Sequence, residues 1–235
     1  MSASTGAELA RTLDRAAHTL RRDEFVDVAQ RLMRTKGYEL MSVQDVLDEL
    51  GASKGAFYHY FGGKADLLEA VVARMVDDAT TELAPLFDDA QLSAPEKLNR
   101  FFAGIVTWKM QRKDLLLALI EVWFADENAI VREKFRKRLV DRLAPPLARV
   151  IEQGRHEGTF DVDSADATAR VFISLIQAAN EHAGTLFVAR QANEVTFEHV
   201  ERLLAAYASA FERVLGAPAG TYAPLDRALL YEWFG

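Results

Sequence analysis

Apolar positions recur every three to four residues along most of the 235-residue chain, and no sustained alternation of period two interrupts them. The pattern predicts an all-α protein. Over residues 20–35, Phe25, Val28, Ala29, Leu32 and Met33 share one stripe, and Gly37 supplies a C-terminal stop. Ser42 is placed to cap a short second helix, with Val43, Val46, Leu47 and Leu50 facing inward. Asp45 falls in its first turn, where a carboxylate suits the helix dipole, and Gly51 ends it. Ser53 then opens a third helix of barely two turns, broken by Gly62 and Gly63. Lys64 and Asp66 begin a longer fourth helix, whose apolar face carries Leu67, Leu68, Val71, Val72 and Met75.

Longer helices are expected over about 95–113, 114–125, 128–154, 164–190 and 196–215. Pro145 and Pro146 should kink or divide the third of these, because neither has an N–H to donate. A tail containing Pro218, Gly220 and Pro224 leads to a last apolar segment, Leu225 to Phe234. The chain therefore divides into a polar N-terminal arm (1–18) with room for partial helix, and a three-helix module with its following helix (19–82). A larger helical module (83–216) and a C-terminal tail with a short helix (217–235) complete it.

Two helices joined by a tight turn at Gly51-Ala52-Ser53, braced by a preceding helix, form a helix-turn-helix at about 43–62. Spacing alone is a weak signal, since helical corners are common. The third helix adds a stronger one, because it carries Phe57, Tyr58, His59, Tyr60 and Phe61 in an unbroken row. Phe57 and Phe61, four residues apart, fall on the face that packs on the first two helices, with Tyr60 flanking them. Ser53, Lys54, Ala56, Tyr58 and His59 then face water. A phenol or imidazole there can donate to a phosphate with few rotamers to freeze, Gly55 permits close approach to a duplex, and Lys54 and Lys64 bracket the helix with positive charge.

The segment AQRLMRTKGYELMSVQDVLDELGASKGAFYHYFGGKADLLEAVV, residues 29–72, resembles the DNA-binding region of the tetracycline-repressor (TetR) family of bacterial transcriptional regulators. The resemblance rests on the apolar first helix ending in KGY, the Ser42-Val43 start, the SKGAFYHYF reading helix and the following lysine. It implies a homodimer bound to a double-stranded DNA operator with two half-sites, usually a repressor released by a small-molecule effector. Carried over by position, Ser42, Lys54, Tyr58, His59 and Lys64 would touch phosphates, while Gln44, Ser53, Gly55 and Ala56 would approach base edges. Gly62-Gly63 stands where family members often have a polar or charged pair. Ala56 offers only a methyl contact, so discrimination should depend on its neighbours and on DNA shape.

Composition bears on this reading in three ways. The formal net charge is −7, and residues 19–69 hold seven Lys or Arg against nine Asp or Glu, so DNA affinity has to come from arrangement rather than overall basicity. Cysteine is absent, which excludes disulfides, thiolate nucleophiles and thiolate metal sites. The polar N-terminus lacks the pattern of an export signal and no run is long enough to cross a membrane, so a cytoplasmic protein without membrane partners is expected.

Beyond the DNA-binding segment the residues speak alone. Two wide apolar stripes, at 171–187 and 197–215, read as a subunit interface in which Ala179, Ala183, Phe187, Leu204, Tyr207 and Phe211 meet a partner copy, as in a four-helix bundle; an intrachain core is the alternative. Phe102, Trp108, Trp123 and Phe124 belong to a ring-rich set that makes either core or the wall of a cavity for a hydrophobic or aromatic effector. Gln177, Asn180 and Glu181 interrupt an apolar helix and are the candidate polar anchors. His18, His59, His156, His182 and His199 are scattered, and no glycine-rich phosphate loop or nucleophile elbow occurs, so neither enzyme nor cofactor is expected. The rival function is a helical small-molecule binding protein that does not use its helix-turn-helix on DNA.

Overall fold

The computed structural model describes residues 3–222 and 226–235. Among them the chain forms α1 (Ala3–Lys36), α2 (Val43–Leu50), α3 (Lys54–Tyr60), α4 (Lys64–Asp88), α5 (Ala94–Gln111), α6 (Lys113–Phe124), a 3-10 turn (Asp126–Asn128), α7 (Ala129–His156), α8 (Ala165–Gln191), α9 (Phe197–Val214) and α10 (Arg227–Phe234), with no strand. The all-α expectation is met. One difference lies at the start: the arm is helical from Ala3 and continuous with the first packed helix. Its Ala, Leu, Glu and Arg residues favour helix without forming a stripe, which is why periodicity stops near Leu20. Residues 1 and 2 of the arm, and Pro224 and Leu225 of the tail, lie outside the described residues.

The chain forms two compact units, residues 1–75 with 112–135, and 76–111 with 136–235. This division differs from a boundary near residue 82, because α4 and α7 each contribute to both units and α6 belongs to the first. In the first unit, Phe25, Ala29 and Met33 of α1, Val46 and Leu47 of α2, Phe57 of α3, and Leu67 and Val71 of α4 form the core, joined by Leu119 and Val122 of α6. α2 starts with a reciprocal capping box between Ser42 and Asp45. It stops at Gly51, whose φ of 60° places it in the left-handed region where a side chain would be strained.

The second unit is built around Leu98 and Phe101 of α5, Leu147 and Ile151 of α7, Phe172 and Ile173 of α8, and Phe211 and Leu215 of α9. Gly104 lets α5 approach α4 closely: a Cβ there would come within 2.5 Å of the Leu83 side chain. α7 runs through Pro145 and Pro146 without dividing. The carbonyls that lose their donors belong to Asp141 and Arg142, which are exposed to water, while Leu143, Ala144, Leu147 and Ala148 stay buried around them. Burial of that stripe offsets the loss. α10 lays Leu230 and Phe234 against Leu186 of α8 and Val200 of α9, and Arg190 Nε donates to the Phe234 carbonyl at 3.0 Å.

Candidate nucleic-acid interface

α3 has seven residues, too few to be stable alone, and is held at both ends and from beneath. Ser53 Oγ accepts from the Ala56 N–H at 3.2 Å, capping its first turn. Phe57 is fully buried, edge-on to the Phe25 ring at 5.7 Å, and Phe61 lies 6.0 Å from that same ring. Tyr58 is 58% exposed and His59 is exposed, so the aromatic row divides into an anchoring pair and a pair that projects into water. Tyr60 is half-buried, 5.8 Å from Phe25.

All nine residues expected at DNA lie on α2, the turn, α3 and the start of α4; Ser42, Gln44, Ser53, Lys54, Gly55, Tyr58 and His59 are exposed or nearly so, Ala56 and Lys64 half-buried. Lys54 makes no hydrogen bond or ion pair among the described residues, leaving its ammonium available. Lys64 is engaged: its Nζ donates to the Glu39 carbonyl at 3.1 Å and sits 4.2 Å from the centroid of the Tyr38 ring. Gln44 Nε2 donates to Asp48 Oδ1 at 2.7 Å, and Ser42 Oγ donates to Asp45 Oδ2 at 2.7 Å. A hydrogen bond from Lys36, then those from the Ser42 N–H and hydroxyl, hold the Asp45 carboxyl well below its ordinary range. At Gly55 an added Cβ would meet only Ser53 Oγ, at 3.9 Å, so its smallness serves nothing inside the subunit.

Two features escaped the sequence. His18, in the arm, packs its ring 4.6 Å from Tyr60 and 5.4 Å from His59, so α1 reaches the flank of the reading helix. Nothing in the arm's pattern marked that histidine. The second concerns Gly62, in the pair where a family member often has polar side chains: the Gly62 N–H donates to Asp66 Oδ2 at 2.8 Å, and a Cβ on Gly62 would come within 2.7 Å of that oxygen. Several acids of the module are neutralised locally, Glu49 by Arg31 at 2.6 Å, Asp27 by Arg74 at 2.6 Å and Asp45 by Lys36 at 2.8 Å. A net-acidic module can therefore still present an uncluttered face to phosphate.

Residues 25–71 match the family described as bacterial regulatory proteins of the tetR family. This segment is a DNA-binding region of the TetR family. YfiR of Bacillus subtilis, an HTH-type transcriptional regulator, is 22% identical over 142 residues, 58% of this chain and 68% of that protein. The HTH-type transcriptional repressor KstR2 of Mycolicibacterium smegmatis is 30% identical over 82 residues, 35% of this chain and 40% of KstR2. A TetR-family regulator from Syntrophomonas wolfei superposes with a TM-score of 0.57 at 19% identity, over 86% of this chain and 99% of that one. With this segment and these relatives, the chain is a transcriptional regulator with a helix-turn-helix.

The expected effector residues fall in both compact units. Trp123 packs edge-on against Phe135 at 4.9 Å in the first unit, and Phe124 is also in that unit, whereas Phe102, Trp108, Gln177, Asn180 and Glu181 are in the second. Gln177 Nε2 donates to the Arg136 carbonyl at 2.9 Å, Asn180 Oδ1 accepts from Lys109 Nζ at 2.6 Å, and Arg136 spans both Glu181 oxygens at 2.8 and 3.0 Å. Lys109 and Arg136 were missed, although Lys109 sits seven residues after Phe102, on the same helix face. Burial pulls the Lys109 ammonium down to about 8.

The expected dimer residues also have partners in their own subunit. Phe211 is buried, 5.0 Å from the Phe172 ring and 5.2 Å from that of Phe102, so it belongs to the intrachain core and not to an open face. Ala179 packs on the same core, and Ala183, Phe187 and Leu204 pack with the cluster that α10 covers. The Tyr207 hydroxyl hydrogen-bonds His182 Nδ1. What α8 leaves open is a neighbouring stripe, Val171 at 51% exposure, half-buried Ala178, exposed His182 and Thr185, and Val188 at 43%.

Proposed function

We propose that the protein is a cytoplasmic, homodimeric repressor that binds an operator of two half-sites and is released from it by a small hydrophobic or aromatic effector. The observation that carries the reading is the divided face of α3: buried Phe57 and Phe61 beneath, exposed Tyr58, His59 and Lys54 above. Stiff polar-tipped rings beside a free ammonium suit phosphate contacts, and Gln44, Ser53, Gly55 and Ala56 fall where base edges would be met. KstR2, a relative over 82 residues, is named a repressor, which supports that sign of control. α8 and α9 supply the subunit contact through the stripe that α10 leaves open.

Release follows from chain topology. α4 contributes residues to both compact units, so an effector preferring one packing of the second unit biases the start of α4 and with it the placement of α3. Two reading helices must lie about 34–36 Å apart to enter successive major grooves, and a shift of a few ångströms weakens the hold of both. Electrophoretic mobility shift with the DNA upstream of the protein's own gene tests the reading. Random duplex should compete far less well than that fragment; equal competition would favour a helical small-molecule binding protein that leaves its helix-turn-helix unused.

A further inference from the structure

α1 is longer than its packing requires. Of its 34 residues, Phe25, Val26, Val28, Ala29 and Met33 are buried in the first unit, whereas Thr12 and Ala16 to Leu20 are all exposed. At 1.5 Å per residue, the stretch from Ala3 to Leu20 carries the helix about 25 Å beyond its packed half. A helix of that length without an apolar stripe is marginal in water when nothing lies against it.

His18 fixes the direction in which this stretch leaves the core. Its ring lies 4.6 Å from Tyr60 and, edge-on, 5.4 Å from His59, while Arg22, four residues on, holds its guanidinium 5.3 Å over the Phe61 ring. The face of α1 that carries these two residues runs along the C-terminal flank of α3, from the buried anchor Phe61 out to exposed His59. That same face continues toward the N-terminus. Residues 11 and 15 precede His18 and Arg22 by seven residues each, and the intervals 11–15–18–22 are those of one helix face. Both are arginines. Glu8 and Asp14 fall at its edges, so the face holds three arginines and a histidine against two acids, its sign opposed to the −7 of the whole chain.

We propose that the N-terminal half of α1 is a second DNA-binding element that lies along the phosphate backbone just outside each half-site, with Arg11 and Arg15 as its cations and His18 as the residue that sets its angle against the reading helix. The assignment rests on the reading of α3 as the helix that enters the major groove. It commits to phosphates and not to base edges: α3 occupies the groove, and guanidinium groups spaced along one helix face meet a phosphate strand bidentately whatever its sequence.

The test uses the full-length protein and the DNA fragment upstream of its own gene. Arg11→Ala combined with Arg15→Ala should flatten the log–log salt dependence by about 1.8 or more, from at least one phosphate lost per subunit at about 0.9 each, with the melting temperature unchanged. The paired substitutions Arg11→Lys and Arg15→Lys, which keep the charge, should leave the slope as in the parent. Hydroxyl-radical footprints of the parent should extend outside the two half-sites, and the alanine variant should lose those flanking protections alone. His18→Ala, with both arginines in place, should weaken the flanking protections and spare those of the half-sites. An unchanged slope in the alanine variant, or a parent footprint that ends at the half-sites, would overturn the proposal; an undiminished flank in His18→Ala would remove that histidine from it. The outcome is separable from the function on which it rests. A parent that binds the fragment selectively while the alanine variant keeps its slope leaves the repressor reading standing and removes the arm. A parent that binds random duplex equally well, with a slope that falls in the alanine variant, retains the arm as a phosphate contact and removes the operator.

Discussion

Lys54 and Lys64 look equivalent in the sequence and are not. Lys54 is free and exposed, so Lys54→Ala should weaken binding to all duplexes alike and flatten the log–log salt dependence by about 0.9 for each phosphate that a subunit no longer touches, with the melting temperature unchanged. Lys64 already serves the fold through Tyr38 and the Glu39 carbonyl, a backbone acceptor no side-chain pattern could disclose. Lys109 makes a prediction of a different kind. An unfolded lysine titrates near 10.4, well above the folded value of about 8. Between those values the unfolded chain holds the extra proton, so the apo protein should gain stability as pH rises through that window and carry the full burial penalty below it. Among the described residues Lys109 Nζ donates to Asn180 Oδ1 of α8. Chemical denaturation at about pH 7.5 and pH 9.5 should show the rise in the native protein and its absence in Lys109→Met.

At the scale of elements, α3 shows how much function depends on small terms. Ser53 is both the expected base-edge neighbour and the cap of a seven-residue helix. Ser53→Ala should lower stability by about 1 kcal/mol, read by urea denaturation, and weaken operator binding beyond what removing one hydroxyl from a base edge would do, because the helix frays where it must read. A variant as stable as the parent would mean the cap hydrogen bond is not what holds that end. The short helices were legible because each signal is local: Ser42, Gly51 and Ser53 mark their own ends, and Phe57 and Phe61 repeat at helical spacing. The 3–19 portion of α1 was not, since it is helical by propensity without an apolar stripe. Nor was the continuity of α7, where the buried stripe of Leu143, Ala144, Leu147 and Ala148 around Pro145 and Pro146 holds the helix together.

At the scale of the molecule, a stripe of apolar residues cannot say which partner covers it. The α8 and α9 stripes were wide enough for two partners, and the subunit's own core and α10 take much of them: Phe211 goes to the core, and Ala183, Phe187 and Leu204 to the cluster beneath Leu230 and Phe234. Phe211→Glu therefore cannot report on assembly. It would set a carboxylate among Phe102 and Phe172, and the protomer should lose its helical signal before any question of subunits arises. The residues left for a partner copy are those α10 and the core do not reach, and Ala178 sits at the middle of them, small enough for a facing helix to approach. Ala178→Glu should halve the mass seen by light scattering while the circular dichroism spectrum of the protomer persists. Operator affinity should fall with it, because a lone reading helix loses the second half-site. A dimer of unchanged mass in that variant would put the subunit interface elsewhere, and retained mass with abolished operator binding would separate assembly from the geometry that the two reading helices require.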